Sequence, residues 1–172
     1  GGGIVGLTTA LRLCEMGRRV ILIEAMRIGG QVTGRSTAKI TTQHGLIYRH
    51  LLDTNGLDIA QRYAHANSVG AACIRDWIRD YRISCDFERK PAYAYTASQS
   101  RIADIEAEAE AARQLGLRAD VVRPAPLPFK TAAALRFPDQ AQFNPAAYLT
   151  GLAEAVMAKG GLIFEMSRVR HV

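Results

Sequence analysis

Gly1, Gly3 and Gly6 form G-x-G-x-x-G directly ahead of a segment with helical periodicity. In such a turn the first glycine permits a tight bend, the second lets the backbone approach a pyrophosphate, and the third lets the helix pack closely on its strand. The free amides and dipole of the helix start then favour phosphate oxygens. Glu24 stands 18 residues after Gly6, at the end of the next apolar run. Its carboxylate suits the ribose hydroxyls of an adenosine, and its charge repels a 2′-phosphate, which disfavours NADP. The glycines alone would also fit a flexible glycine-rich end. The helix, the strand and the acid at the right offset raise the pattern above that.

The turn does not separate NAD from FAD, so the discrimination falls to the segment after Glu24. Residues 25–42 are rich in Gly, Thr and Ser without periodicity, which reads as a long loop, and long ordered loops are usually functional. Arg27, Thr33, Gly34, Arg35, Ser36, Thr37, Lys39 and Ile40 fall within it. A simple NAD domain needs no such segment. A flavin reaches farther, through its second phosphate and ribityl chain, and glycine amides with hydroxyls are suited to hold it. A merely solvated loop is the other reading of these residues. An NAD-linked dehydrogenase and a non-catalytic nucleotide-binding module therefore stay open as alternatives.

A helix and a strand must position these groups. Ile4, Leu7, Leu11 and Cys14 share one helical face and Gly17 ends it. The run Val20-Ile21-Leu22-Ile23 predicts a parallel strand buried on both faces. Farther along, apolar and small residues at spacings of 3, 4 and 7 predict one long helix from Leu57 to Tyr81. A strand is expected over Pro91 to Ala97 and a helix from Arg101 to Leu115, with Asp104, Glu106, Glu108 and Glu110 on a solvated face. Val121 and Val122 suggest another strand, and Pro124, Pro126 and Pro128 mark an irregular crossing. Asn144 before Pro145 is a strong helix start, and that helix carries Leu149, Leu152, Ala153 and Val156 and stops at Gly160-Gly161. Leu162 to Glu165 and Arg168 to Val172 are expected to close as strands.

Composition bounds the remaining classes. The 172 residues, 48% hydrophobic, suffice for a core of ordinary size. The formal charge is +6, but its arginines are scattered, which argues against a nucleic-acid face. No apolar run of 18 residues and no signal peptide is present, so neither a membrane nor export is expected and a cytoplasmic setting is the default. Cys14, Cys73 and Cys85 form no C-x-x-C pair and have no histidine partner at ligand spacing, so they are expected to be reduced and to bind no metal. The chain opens on a glycine turn and ends on apolar residues, so both ends are expected to be cut, with the strand before Gly1 missing.

With these residues in view, the chain resembles the D-amino-acid oxidase-like FAD-dependent oxidoreductases, the glycine oxidase and sarcosine oxidase type. The segment Thr33-Gly34-Arg35-Ser36-Thr37-Ala38-Lys39-Ile40-Thr41-Thr42-Gln43-His44-Gly45-Leu46-Ile47-Tyr48 is similar to bacterial members with a carboxyl-terminal Rieske [2Fe-2S] domain. So are Leu127-Pro128-Phe129 and the stretch from Phe137 to Leu149. The resemblance implies that Gly1, Gly3 and Gly6 face the pyrophosphate of FAD, that Glu24 faces the ribose with Ala25 and Arg27 beside it, that Thr33 to Ile40 hold the rest, and that the Val169 backbone meets the adenine. It implies hydride transfer from the C–N carbon of a small amine or amino acid to FAD. An iron–sulfur centre would lie outside this chain, where the electron acceptor is not legible. Lys39, His44 and Tyr48 would lie near the flavin ring, and no catalytic residue is assigned. The fold class it implies is α/β, a Rossmann-like FAD-binding domain of glutathione-reductase type interrupted by an α+β substrate-domain segment. The expected boundaries are 1–84 for the first part of the FAD-binding domain, 85–140 for the substrate segment and 141–172 for the return. Such a piece alone is expected to be inactive.

Overall fold

The structure is a computed structural model and describes residues 1–171. In chain order its elements are α1 (Ile4–Glu15), β1 (Ile21–Ile23), β2 (Lys39–Ile40), α2 (Ile47–Asp80), β3 (Glu88–Arg89), β4 (Ala92–Thr96), α3 (Ile102–Gln114), β5 (Asp120–Val122), β6 (Ala133–Phe137), β7 (Ala141–Gln142), α4 (Pro145–Ala158) and β8 (Leu162–Phe164). Two compact units form. The first comprises residues 1–39, 74–87 and 143 onward, and the second comprises 40–73 and 88–142. The sequence boundaries at 84 and 140 thus cut the chain differently: residues 40–73 group with 88–142 because the early turns of α2 pack in the core of that unit.

The first unit is α/β. β1 and β8 run parallel with Ile21 opposite Leu162, Leu22 opposite Ile163 and Ile23 opposite Phe164. Helices α1 and α4 pack on each other and on these strands. Leu7, Leu11, Leu149, Leu152 and Val156 are fully buried, as the helical spacings require. Asn144 caps α4 by accepting the Ala147 N–H at 3.1 Å, and Pro145 occupies the first turn, where its missing N–H costs nothing. Within this chain the strand expected to be buried on both faces is covered on one. Leu22 is 5% exposed whereas Ile21 is 62% exposed, because α1 and α4 cover a single face and alternate residues of a strand point to opposite faces.

The second unit is α+β. β6 is the middle strand of an antiparallel sheet between β4 and β5, in register Ala94↔Leu135 and Val121↔Leu135. A second small sheet orders β2, β7 and β3. The core collects Tyr48, Ala64, Ile105, Ala109, Ala112, Leu135 and Phe137. α2 comprises two helices, the second from Leu57 as the sequence pattern expects and the first from Ile47. Its regular geometry is broken once, at Gly56 with φ 78°, and the periodicity was legible only beyond that break.

Two further expectations are corrected. Glu108 does not belong to a solvated face: it is 1% exposed, and its carboxylate accepts the N–H groups of Tyr48 and Arg49 at 2.8 Å each, at the start of α2. Those amides have no partner inside their own helix, and a carboxylate there also matches the helix dipole. Residues 168–171 are irregular rather than a strand, since β8 pairs with β1 only through Phe164, and Val172 lies outside the described residues.

Candidate functional site

Glu24 follows β1 directly, and its carboxylate reaches back to the opening turn. Oε2 accepts the Gly2 N–H at 2.6 Å and Oε1 accepts the Met26 N–H at 2.8 Å. The Gly2 amide, followed by that of Met26, holds this carboxyl below its ordinary range and keeps it ionised. Each carboxylate oxygen has a second lone-pair direction, so Glu24 retains acceptor capacity for hydroxyl groups.

The turn is as tight as G-x-G-x-x-G spacing requires. A Cβ on Gly6 would stand 1.8 Å from the Gly1 carbonyl oxygen, so the third glycine lets α1 close onto the turn. Gly3 is the N-cap of α1, with no side-chain cap and no acid in the first turn. Such a helix start favours an anion. The Ile4 N–H donates to Thr33 Oγ1 at 3.3 Å, which fastens the later loop to the helix start.

That loop forms the opposite wall. Gly29 donates its N–H to the Gly2 carbonyl at 3.2 Å, and Ile28 lies where any side chain on Gly2 would have to go. A second close approach occurs at Gly34, whose Cβ would be 1.9 Å from the Gly29 carbonyl oxygen. Between turn and loop lies a cavity of about 170 Å³ lined by Gly2, Gly3, Glu24, Arg27, Thr33 and the 29–32 backbone. Pockets for whole drug-sized ligands hold about 300–1,000 Å³, so this one has room for part of a dinucleotide. Helix-start amides, an ionised acid and four glycines in the lining fit a diphosphate with its sugar.

Of the residues singled out in the sequence, Gly3, Glu24, Arg27 and Thr33 line this cavity, with Gly1, Gly6 and Gly34 in its supporting backbone. Ala25, Arg35, Ser36, Thr37 and Lys39 are exposed along the loop, Ile40 is buried in the second unit, and Val169 is exposed beyond β8. Sequence reasoning did not single out Gly2, Ile28, Gly29 or Glu165, whose Oε1 accepts the Ile28 N–H at 2.6 Å. In the second unit His44 is exposed, with Nδ1 2.9 Å from Tyr63 Oη. Tyr48 is fully buried and donates its hydroxyl to the Thr42 carbonyl, and burial pushes its phenol well above the ordinary range. A phenol so enclosed is a core group.

The family described as FAD dependent oxidoreductase matches the chain over residues 1–172. The chain belongs to that family. Its members are FAD-dependent, and the cavity chemistry agrees with the adenosine diphosphate half of that cofactor. YhfW of Bacillus subtilis (strain 168), provisionally named a Rieske 2Fe-2S iron-sulfur protein, is 39% identical over 165 residues, covering 96% of this chain and 32% of its own length. Gamma-glutamylputrescine oxidoreductase of Escherichia coli (strain K12) is 27% identical over 179 residues, covering all of this chain and 42% of its own. Among solved structures, L-proline dehydrogenase from P. horikoshii has the same fold, with a TM-score of 0.75 at 20% identity over 99% of this chain and 43% of its own. The chain therefore spans a third to two fifths of the relatives it matches. Among the described residues no helix is long and apolar enough to cross a membrane, and no three His, Cys, Asp or Glu side chains cluster as metal ligands.

Proposed function

We propose that the whole protein oxidises a C–N bond of a small amine or amino acid, and that this chain supplies the seat for the adenosine diphosphate half of FAD. The observation that carries the reading is the 2.6 Å hydrogen bond from Gly2 to Glu24, which joins glycine turn and acid at a helix start whose N-cap, Gly3, has no side chain. In this reading the α1 amides and the Gly3 backbone receive the pyrophosphate, and Glu24 receives the ribose hydroxyls. Ala25, Arg27 and Thr33 flank them, while Gly34, Arg35, Ser36, Thr37, Lys39 and Ile40 lead toward the rest of the cofactor and Val169 toward the adenine. The α/β unit then serves the cofactor and the antiparallel unit the substrate.

When bound, FAD would supply the redox chemistry as the acceptor for a hydride from the carbon of the substrate C–N bond. The residues of this chain bind and orient the cofactor. The 27% identity to a gamma-glutamylputrescine oxidoreductase supports an amine substrate, and the 39% identity to a protein named for a Rieske centre supports an iron–sulfur acceptor outside this chain. Three free thiols suit the reducing cytoplasm.

The test is to purify the whole protein, record its visible spectrum, identify the released cofactor, and titrate the apoprotein with FAD and NAD in parallel. Anaerobic bleaching of the flavin by members of an amine and amino-acid panel would support the assignment. Tight NAD binding without flavin, or a flavin that no amine or amino acid reduces, would overturn it.

A further inference from the structure

β1 and β8 end alike. Ile21-Leu22-Ile23 is followed by Glu24, and Leu162-Ile163-Phe164 is followed by Glu165. Because the strands are parallel and Ile23 lies opposite Phe164, the two acids leave the sheet side by side at its carboxyl edge, where ligands of open α/β sheets bind. Backbone hydrogen bonds continue past the strands: Glu24 N–H to the Phe164 carbonyl at 2.8 Å, Met166 N–H to the Met26 carbonyl at 2.8 Å, and Ser167 N–H to the Glu24 carbonyl at 2.9 Å.

The two carboxylates hold opposite walls of one cavity. Glu24 takes the Gly2 amide, and Glu165 takes the Ile28 amide at 2.6 Å. Ile28 rests on Gly2, with its Cγ1 2.9 Å from the position a Gly2 Cβ would occupy, and the next residue, Gly29, bonds the Gly2 carbonyl. The second oxygen of Glu165 stands 3.4 Å from the Arg27 guanidinium, whose side chain is 78% exposed. An ion pair that long and that wet contributes little. The short bond to the amide is the one that fixes geometry.

We infer that Glu165 is a positioning residue for the FAD site: its carboxylate, bonded to the Ile28 amide, holds the 27–30 segment as the wall that faces the glycine turn. This rests on the reading of that turn as the FAD seat. Glu165 does not line the cavity, so its effect passes through Ile28 and Gly2. It needs an acceptor at the right reach, and charge is secondary.

The test uses the whole protein as apoprotein, titrated with FAD, together with hydrogen exchange of the peptide containing Ile28. Glu165→Ala and Glu165→Asp, the latter withdrawing the acceptor by one carbon, should weaken FAD about ten-fold and speed exchange at Ile28. Glu165→Gln keeps a carbonyl acceptor and should stay within about three-fold of wild type. If Glu165→Ala does not fold, the Asp and Gln variants decide between the same outcomes. Should both Ala and Asp bind FAD within two-fold of wild type, or Gln bind as poorly as Asp, the inference is overturned. A parallel Gly6→Ala variant separates the two levels: FAD binding lost there but kept in Glu165→Asp removes only this inference, whereas binding kept in both removes the glycine-turn reading.

Discussion

The same substitution at two glycines should have opposite effects, because one helical glycine is crowded and the other is not. A Cβ on Gly6 would lie 1.8 Å from the Gly1 carbonyl oxygen, and real Cβ contacts essentially never fall below 3.0 Å. In Gly6→Ala the two groups must therefore part by about 1.2 Å, the difference between those distances. The movement falls on the turn and helix start that meet the pyrophosphate. Losing one or two hydrogen bonds to the charged pyrophosphate, at about 1.5–3 kcal/mol each, weakens FAD on the order of a hundred-fold, about 2.7 kcal/mol. Gly70 sits within α2 with nothing within 4 Å of its absent Cβ. Gly70→Ala should leave FAD binding unchanged and raise stability by about 0.5–1 kcal/mol, since alanine loses less backbone freedom on folding. The assay is flavin-fluorescence titration of both apoproteins with FAD, with a thermal melt of each. If Gly6→Ala binds FAD within about three-fold of wild type, the diphosphate does not sit on this turn.

Two other outcomes follow from the carboxylates. Glu108→Ala removes two hydrogen bonds to a carboxylate, one to a buried amide and one to a half-buried amide, and should cost about 3 kcal/mol, read as a drop in the urea midpoint; Glu108→Gln, with one carbonyl acceptor, should recover about half. A loss under about 1 kcal/mol would mean that water replaces the carboxylate at the α2 start. The folded-state pKa of Glu24 is lowered, so its contribution is complete above pH 4.5, the ordinary glutamate value, and is lost as pH falls below that through the folded value. Wild-type apoprotein should lose stability over that acid range more steeply than Glu24→Gln, and superimposable pH–stability curves would count against the Gly2–Glu24 bond.

The parts legible in the sequence were those with local causes. The Asn144–Pro145 start of α4 works through residues at most three apart, and the turn, α1, β1 and Glu24 all lie within the first 24 positions. Glu108 was misread because its partners, the Tyr48 and Arg49 amides, lie about 60 residues upstream. Its own helix gave a signal that the acidic run obscured: at 3.6 residues per turn it falls on the face of Ile105, Ala109 and Ala112, all buried. β6 passed unnoticed because its position at the centre of the sheet, rather than any alternation of its own, buries nearly every residue of Ala133–Phe137. Val169 has β propensity but finds no strand to join. Glu165 could have been suspected from the matching ends of the two apolar runs, Ile23-Glu24 and Phe164-Glu165, had those runs been taken as adjacent.

The pairing of β1 with β8 also sets an order of events on the ribosome. Ile21 meets Leu162, about 140 residues later, and residues 143 onward join 1–39 and 74–87 in the α/β unit. At about 5–20 residues per second the nascent glycine turn waits on the order of 7–28 s for the helix and strand that steady it. Within this chain the segments of the antiparallel unit end at residue 142, before α4 and β8 are made. Until α4 and β8 have emerged, α1 and β1 lack the partners they pack on here, so flavin supplied earlier in synthesis meets an unfinished site.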